Sequence, residues 1–163
     1  MRTDKDTYFL DIAERCARQT TCLRRGYGAV IVDINNTIVS TGYNGAPKGE
    51  KDCLERGTCW RREHNIPSGS SYEKCLSVHG EQNALLQAGK EARGCTMYIA
   101  GVSCETKKVI DANKPCFICT RMIINSEITK VIAKCADGSC ETIDIIELYE
   151  SYVNNIDHRK VLK

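Results

Sequence analysis

A chain of 163 residues, 42% hydrophobic and 27% charged, has the size and balance of one soluble globular domain. Its net charge of +2 offers no basic field for nucleic acid, and two Phe, one Trp and seven Tyr make no stacking platform. No apolar run reaches the length of a membrane span and the N-terminal stretch lacks a signal-peptide core, so a reducing cytoplasm is the expected setting.

Between Thr7 and Arg18 the apolar residues Tyr8, Leu10, Ile12, Ala13, Cys16 and Ala17 fall at helical spacing, with Asp4 or Asp6 as the cap. Ala29–Asp33 and Thr37–Thr41 are short β-rich runs joined through Asn35 and Asn36, which predicts a hairpin. Residues 44 to 75 carry Gly, Pro, Ser and scattered Cys without periodicity, a long irregular segment that needs a function or a clamp. A helix is expected from Gly80 to Ala88 and a buried strand from Cys95 to Gly101. The polar stretch 103–114 reads as a loop, after which Pro115 opens a helix to Asn125. Thr129–Ala133 is a further strand. Thr142–Ile146 is a fifth, merging into a terminal helix that frays in the charged tail. The alternation predicts an α/β fold, a three-layer α/β/α sandwich around a central mixed five-stranded sheet, in one domain over residues 1–163.

Eleven cysteines in a reducing compartment point to metal ligation or burial rather than disulfides. Two motifs concentrate the chemistry. His79-Gly80-Glu81 and Pro115-Cys116-Phe117-Ile118-Cys119 each open a predicted helix. Thiols three residues apart share a helix face, and a helix N-terminus favours the thiolate that binds metal. His79 adds a nitrogen, so three ligands leave the fourth position of a zinc ion for water, whose pKa falls to roughly 7. Glu81, on another side of its helix from His79, is free to move protons between that hydroxide and a substrate. Singly, His79 reads as a core histidine, Glu81 as a solvated carboxylate and the cysteines as core or structural-zinc residues. Both motifs together, in this order, favour a catalytic zinc site.

These stretches, with Thr21–Arg25, Gly28–Val32, Ser40–Pro47, Val78–Ala84 and Met122–Asn125, make residues 7 to 134 similar to the cytidine/deoxycytidylate deaminase family. The resemblance implies a cytidine deaminase-like fold and hydrolytic deamination of dCMP to dUMP, with Glu81 catalytic and His79, Cys116 and Cys119 on the catalytic zinc. It places Asn44 beside the deoxyribose, although Asn44-Gly45 reads equally well as a plain turn. Gly80 stands where the family usually has alanine, a change that permits closer backbone approach at the pocket floor. Residues 101–114 form an insertion at the rim, which admits a free cytidine, deoxycytidine or modified cytosine nucleotide as an alternative substrate. A non-catalytic zinc module for assembly is the alternative of another class. The resemblance also implies a second, structural zinc on Cys22, Cys53, Cys59 and Cys75, with His64 as substitute ligand. Arg24, followed by Arg25 and Lys48, is the candidate for the phosphate. Homo-oligomers, as hexamer or dimer, and dCTP and dTTP effectors near Tyr43–Gly49 complete what the resemblance implies.

Overall fold

The computed structural model describes residues 2–156 apart from Ser68 and Asn113. The fraying expected in the charged tail lies outside the described residues. Helix α1 (Lys5–Ala17) starts where Asp4 accepts hydrogen bonds from the Thr7 amide and hydroxyl, at 2.9 and 2.6 Å. Strands β1 (Arg25–Val32) and β2 (Ile38–Tyr43) form the expected hairpin. Asp33 closes it by accepting from the Asn35 and Thr37 amides, while Asn36 takes the left-handed conformation at φ 63°. After the short helices α2 (Cys53–Arg56) and α3 (Trp60–Glu63) come α4 (Gly80–Ala88), β3 (Thr96–Ser103), β4 (Val109–Ile110) and α5 (Phe117–Asn125). Strands β5 (Lys130–Lys134) and β6 (Cys140–Ile143) and helix α6 (Ile145–Asn155) complete the order.

The sheet runs β2-β1-β3-β5-β6, with β3 and β5 parallel and the other neighbours antiparallel. A parallel pair needs a crossover, and α5 lies in it. The five strands expected are therefore joined by a sixth. β4 pairs with β3 through Gly101–Ile110 and Val102–Val109, so the polar insertion is a hairpin rather than a plain loop. A two-residue strand is too short to write a period into sequence.

Strand alternation sorts the core into two layers. Ala29, Ile31, Met97, Ile99 and Val131 pack with Ala84, Leu85 and Ala88 of α4 and Ile123 of α5. Val30, Val32, Tyr98, Ala100 and Ile132 face the other way, onto Phe9, Leu10 and Ala13 of α1. Each of these side chains is less than a tenth exposed, and the two clusters make the three layers. No helix among the described residues is long and apolar enough to cross a membrane.

Candidate active site

The site stands where the N-termini of α4 and α5 meet. Helix α4 starts so close to the hairpin backbone that a Cβ at the contact would force a shift. A Cβ on Gly80 would lie 2.5 Å from the Tyr27 carbonyl oxygen, and one on Gly42 would lie 2.3 Å from that of Gly80. His79 is the N-cap of α4, its amide donating to Gln82 Oε1 at 2.8 Å. Cys116 is the N-cap of α5, which starts at Phe117, two residues after the expected start at Pro115, and Cys119 follows within the first turn.

His79 Nδ1 lies 3.4 Å from the sulfur of Cys116 and 3.4 Å from that of Cys119. The three ligand atoms all fall within 4.8 Å of one another. A tetrahedral zinc with bonds of about 2.0 Å to nitrogen and 2.3 Å to sulfur spaces such ligands roughly 3.5 Å apart. The donor set and its spacing therefore fit a zinc ion on three vertices, with the fourth left for a small ligand.

The electrostatics agree. A hydrogen bond from the Cys119 thiol, aided by His79 and the Cys119 amide, holds the Cys116 thiol well below its ordinary value despite burial. The Cys119 thiol is raised by that same bond and by burial. Burial would lower His79, but its bond to Cys116 and the charge of Glu81 carry it upward. Glu81 is 6% exposed, and that burial raises its carboxyl, which is hydrogen bonded to the Cys119 thiol. A carboxyl turned toward the ligands, rather than to solvent, is placed to exchange protons there.

A cavity of about 550 Å³ opens over these residues. His79, Glu81 and Cys116 line it, and so do Asn44, Arg24 and the four cysteines Cys22, Cys53, Cys59 and Cys75. Asn44 is buried, its Oδ1 accepting from the Tyr27 amide at 2.7 Å and its Nδ2 donating to the Arg25 carbonyl at 3.0 Å. Among the described residues the other N–H of that amide meets no partner. Gly80 is buried beneath the cavity lining, and Lys48 is exposed outside it. Cys53 is pushed up to about 11, first by burial and then by the neighbouring Cys22, Cys59 and Cys75. Among the described residues, however, only His79, Cys116 and Cys119 bring their ligand atoms within 4.8 Å as a group. His64 stands apart, stacked on Trp60 at 4.0 Å with its Nδ1 at the Trp60 carbonyl.

Three lining residues were not anticipated from sequence: Arg61, Tyr72 and Tyr152. Arg61 is buried, and Tyr72 sets its ring edge-on to His79 with centroids 5.2 Å apart. Tyr152 comes from α6. No motif marks them, because their positions follow from how the irregular segment and the last helix pack.

Residues 3–135 match the family model described as the cytidine and deoxycytidylate deaminase zinc-binding region. The chain belongs to this family. It is 36% identical to the deoxycytidylate deaminase of Mycobacterium phage D29 over 80% of this chain and 94% of that protein. It is 34% identical to that of Schizosaccharomyces pombe over 80% of this chain, but it spans only 37% of the yeast protein. The deaminase fold is shared with the dCMP deaminase of cyanophage S-TIM5. The apo structure superposes with a TM-score of 0.60 at 22% identity, covering 93% of this chain and 94% of the phage chain. The same phage enzyme in complex with dCMP and dUMP gives a TM-score of 0.56.

Proposed function

We propose that the protein is a zinc-dependent hydrolase that converts dCMP and water to dUMP and ammonia. The observation that carries this reading is the buried carboxyl of Glu81, turned onto the triangle of His79, Cys116 and Cys119 at the floor of a cavity of nucleotide size. The names of the phage and yeast relatives support dCMP as the substrate, as does the ligand pair in the cyanophage structure.

His79, Cys116 and Cys119 would hold the catalytic ion. The chemistry it supplies when bound is acidification of a water molecule to near neutral pKa. Glu81 accepts a proton from the water as oxygen attacks C4 of the cytosine, and delivers a proton to N3. It then takes the proton of the new C4 hydroxyl and passes it to the exocyclic amine, which leaves as ammonia as the C4 carbonyl forms. Burial suits Glu81 to this work, because a raised carboxyl pKa makes it able to hold a proton between the two transfers. Asn44 keeps a free amide N–H for a sugar hydroxyl, and Arg24 lines the same cavity as a cation for the phosphate.

Cys22, Cys53, Cys59 and Cys75 would hold a second, structural zinc, supported by their common cavity wall and by the effect of the other three on Cys53. Such an ion would order a segment that buries little apolar surface. A homo-oligomer regulated by dCTP and dTTP near Tyr43–Gly49 belongs to the same reading and rests on family resemblance, while a cytoplasmic setting and a single domain rest on length and composition.

The test is loss of ultraviolet absorbance with dCMP, deoxycytidine and CMP in parallel, with metal content measured on the same sample. Turnover of dCMP ahead of the others with two zinc ions per chain is the expected result. Glu81→Gln should keep both ions and lose at least 100-fold in kcat. Zinc-loaded protein inert toward all three compounds would overturn the reading.

A further inference from the structure

Arg61 is a buried cation with no carboxylate partner among the described residues. Its residue is 4% exposed, on α3 two positions after Cys59, and it lines the cavity of the candidate active site. One terminal nitrogen donates to the Ser71 carbonyl at 2.7 Å and the other to the Pro67 carbonyl at 2.8 Å. Its central carbon lies 4.9 Å from the centroid of the Tyr72 ring. A guanidinium carries five donors and a permanent charge, so two neutral carbonyls and a ring leave both donors and charge in excess. Among the described residues no carboxylate forms an ion pair with it. A charge so far removed from water is costly until an anion joins it.

The position suits one particular anion. Tyr72 touches both Arg61 and the imidazole of His79, so the cation and the ligand triangle lie within the reach of one nucleotide. Arg24, half-buried on the same cavity wall, makes no ion pair among the described residues either. Planar guanidinium forks match phosphate oxygens two at a time.

We propose that Arg61 binds the 5′-phosphate of the nucleotide substrate, with Arg24 as the second cation, so that the cavity selects a monophosphate over a nucleoside. This rests on the deaminase reading above. The bonds of Arg61 to the Pro67 and Ser71 carbonyls tie those residues to α3 and fix the guanidinium at the cavity wall. Arg61 is thus a binding and specificity residue.

The deciding experiment follows the arginine side-chain N–H resonances of the zinc-loaded wild-type protein, assigned with Arg61→Lys, during titration with dUMP, deoxyuridine and inorganic phosphate. The Arg61 signal should move with dUMP and with phosphate and stay still with deoxyuridine. In parallel, Arg61→Lys should lower kcat/KM for dCMP roughly 10- to 100-fold, mostly through KM, and far more than it lowers that for deoxycytidine, with zinc content unchanged. Binding of dUMP without movement of the Arg61 signal would overturn the proposal, as would equal losses on dCMP and deoxycytidine, the mark of a purely structural clamp. If the lysine variant does not fold, the wild-type titration, assigned with Arg61→Gln or by triple resonance, decides alone. An Arg61 signal that answers phosphate in a protein inert toward dCMP would instead overturn the deaminase reading and keep the anion site.

Discussion

The hydroxyl of Tyr152 donates to the carbonyl of Pro115 at 2.7 Å, which ties the C-terminal helix to the residue just ahead of the first candidate thiol ligand. Thr120 adds its hydroxyl to the same carbonyl at 3.3 Å. The ring of Phe117 packs on Tyr149 and Tyr152, with centroids 5.8 and 5.5 Å away. Helix α6 begins at Ile145, beyond the residues 3–135 that the family model matches. This chain therefore braces its cysteine turn with an element that lies outside the shared region.

The brace gives a specific expectation for Tyr152→Phe, which removes the hydroxyl and keeps the ring. Loss of one half-buried hydrogen bond should cost about 1 kcal/mol of stability. With the Pro115 carbonyl released, the Cys116 turn should hold its ion less firmly, so a chelator strips the catalytic zinc faster while KM changes little. Equal rates of zinc release in variant and wild type would show that the bond leaves the turn unaffected.

Gly80→Ala makes the opposite kind of test, because local propensity and packing disagree. Alanine in a helix gains up to about 1 kcal/mol over glycine. Here the new methyl would meet the Tyr27 carbonyl at 2.5 Å, and backbone cannot move aside as a side-chain end can. Packing should win, with a net loss of about 1–3 kcal/mol. Displacement of α4 would carry His79 and Glu81 with it, so kcat should fall as well. A variant as stable as the wild type would mean that β1 yields more readily than its central place in the sheet suggests.

The two ends of the site were unequally legible in sequence. His79, Cys116 and Cys119 could be named because a metal ligand must be one of few residue types, and because helix starts announce themselves. Helix α4 was expected from Gly80 to Ala88 and occupies those residues. Asn44 was placed at the substrate by family resemblance alone, since Asn44-Gly45 reads equally as a turn, and its two bonds to the β1 backbone depend on a hairpin register that sequence does not spell out. Arg61 was invisible. An arginine in an aperiodic segment reads as solvated, and only the folding of 44–75 over the cavity buries it. The sixth strand was hidden for a simpler reason, since two residues carry no alternation.

The last prediction concerns pH and the far face of the sheet. Lys134 of β5 reaches α1, where its Nζ donates to Asp11 Oδ1 at 2.6 Å and Glu14 Oε2 at 2.8 Å. Burial would lower Lys134, but the bonds to Asp11 and Glu14 raise it above its ordinary 10.5. Burial would raise Glu14, but Lys134 and Arg18 together take it below its ordinary 4.5. A carboxyl lowered by folding stabilises the protein above its unfolded value, and that contribution disappears as pH falls through the folded one. An amine raised by folding stabilises below its unfolded value and loses the contribution as pH climbs through the folded one. The network should therefore contribute fully between about pH 4.5 and 10.5 and fade on both sides. Lys134→Met should cost about 1–3 kcal/mol at pH 7, since it leaves two carboxylates without their shared cation. Denaturant melts at pH 3, 7 and 11 decide the matter: the gap between wild type and variant should be widest at pH 7 and narrow toward either extreme. A gap that stays constant across that range would mean that the lysine stem, packed between α1 and β5, supplies the stability rather than its charge.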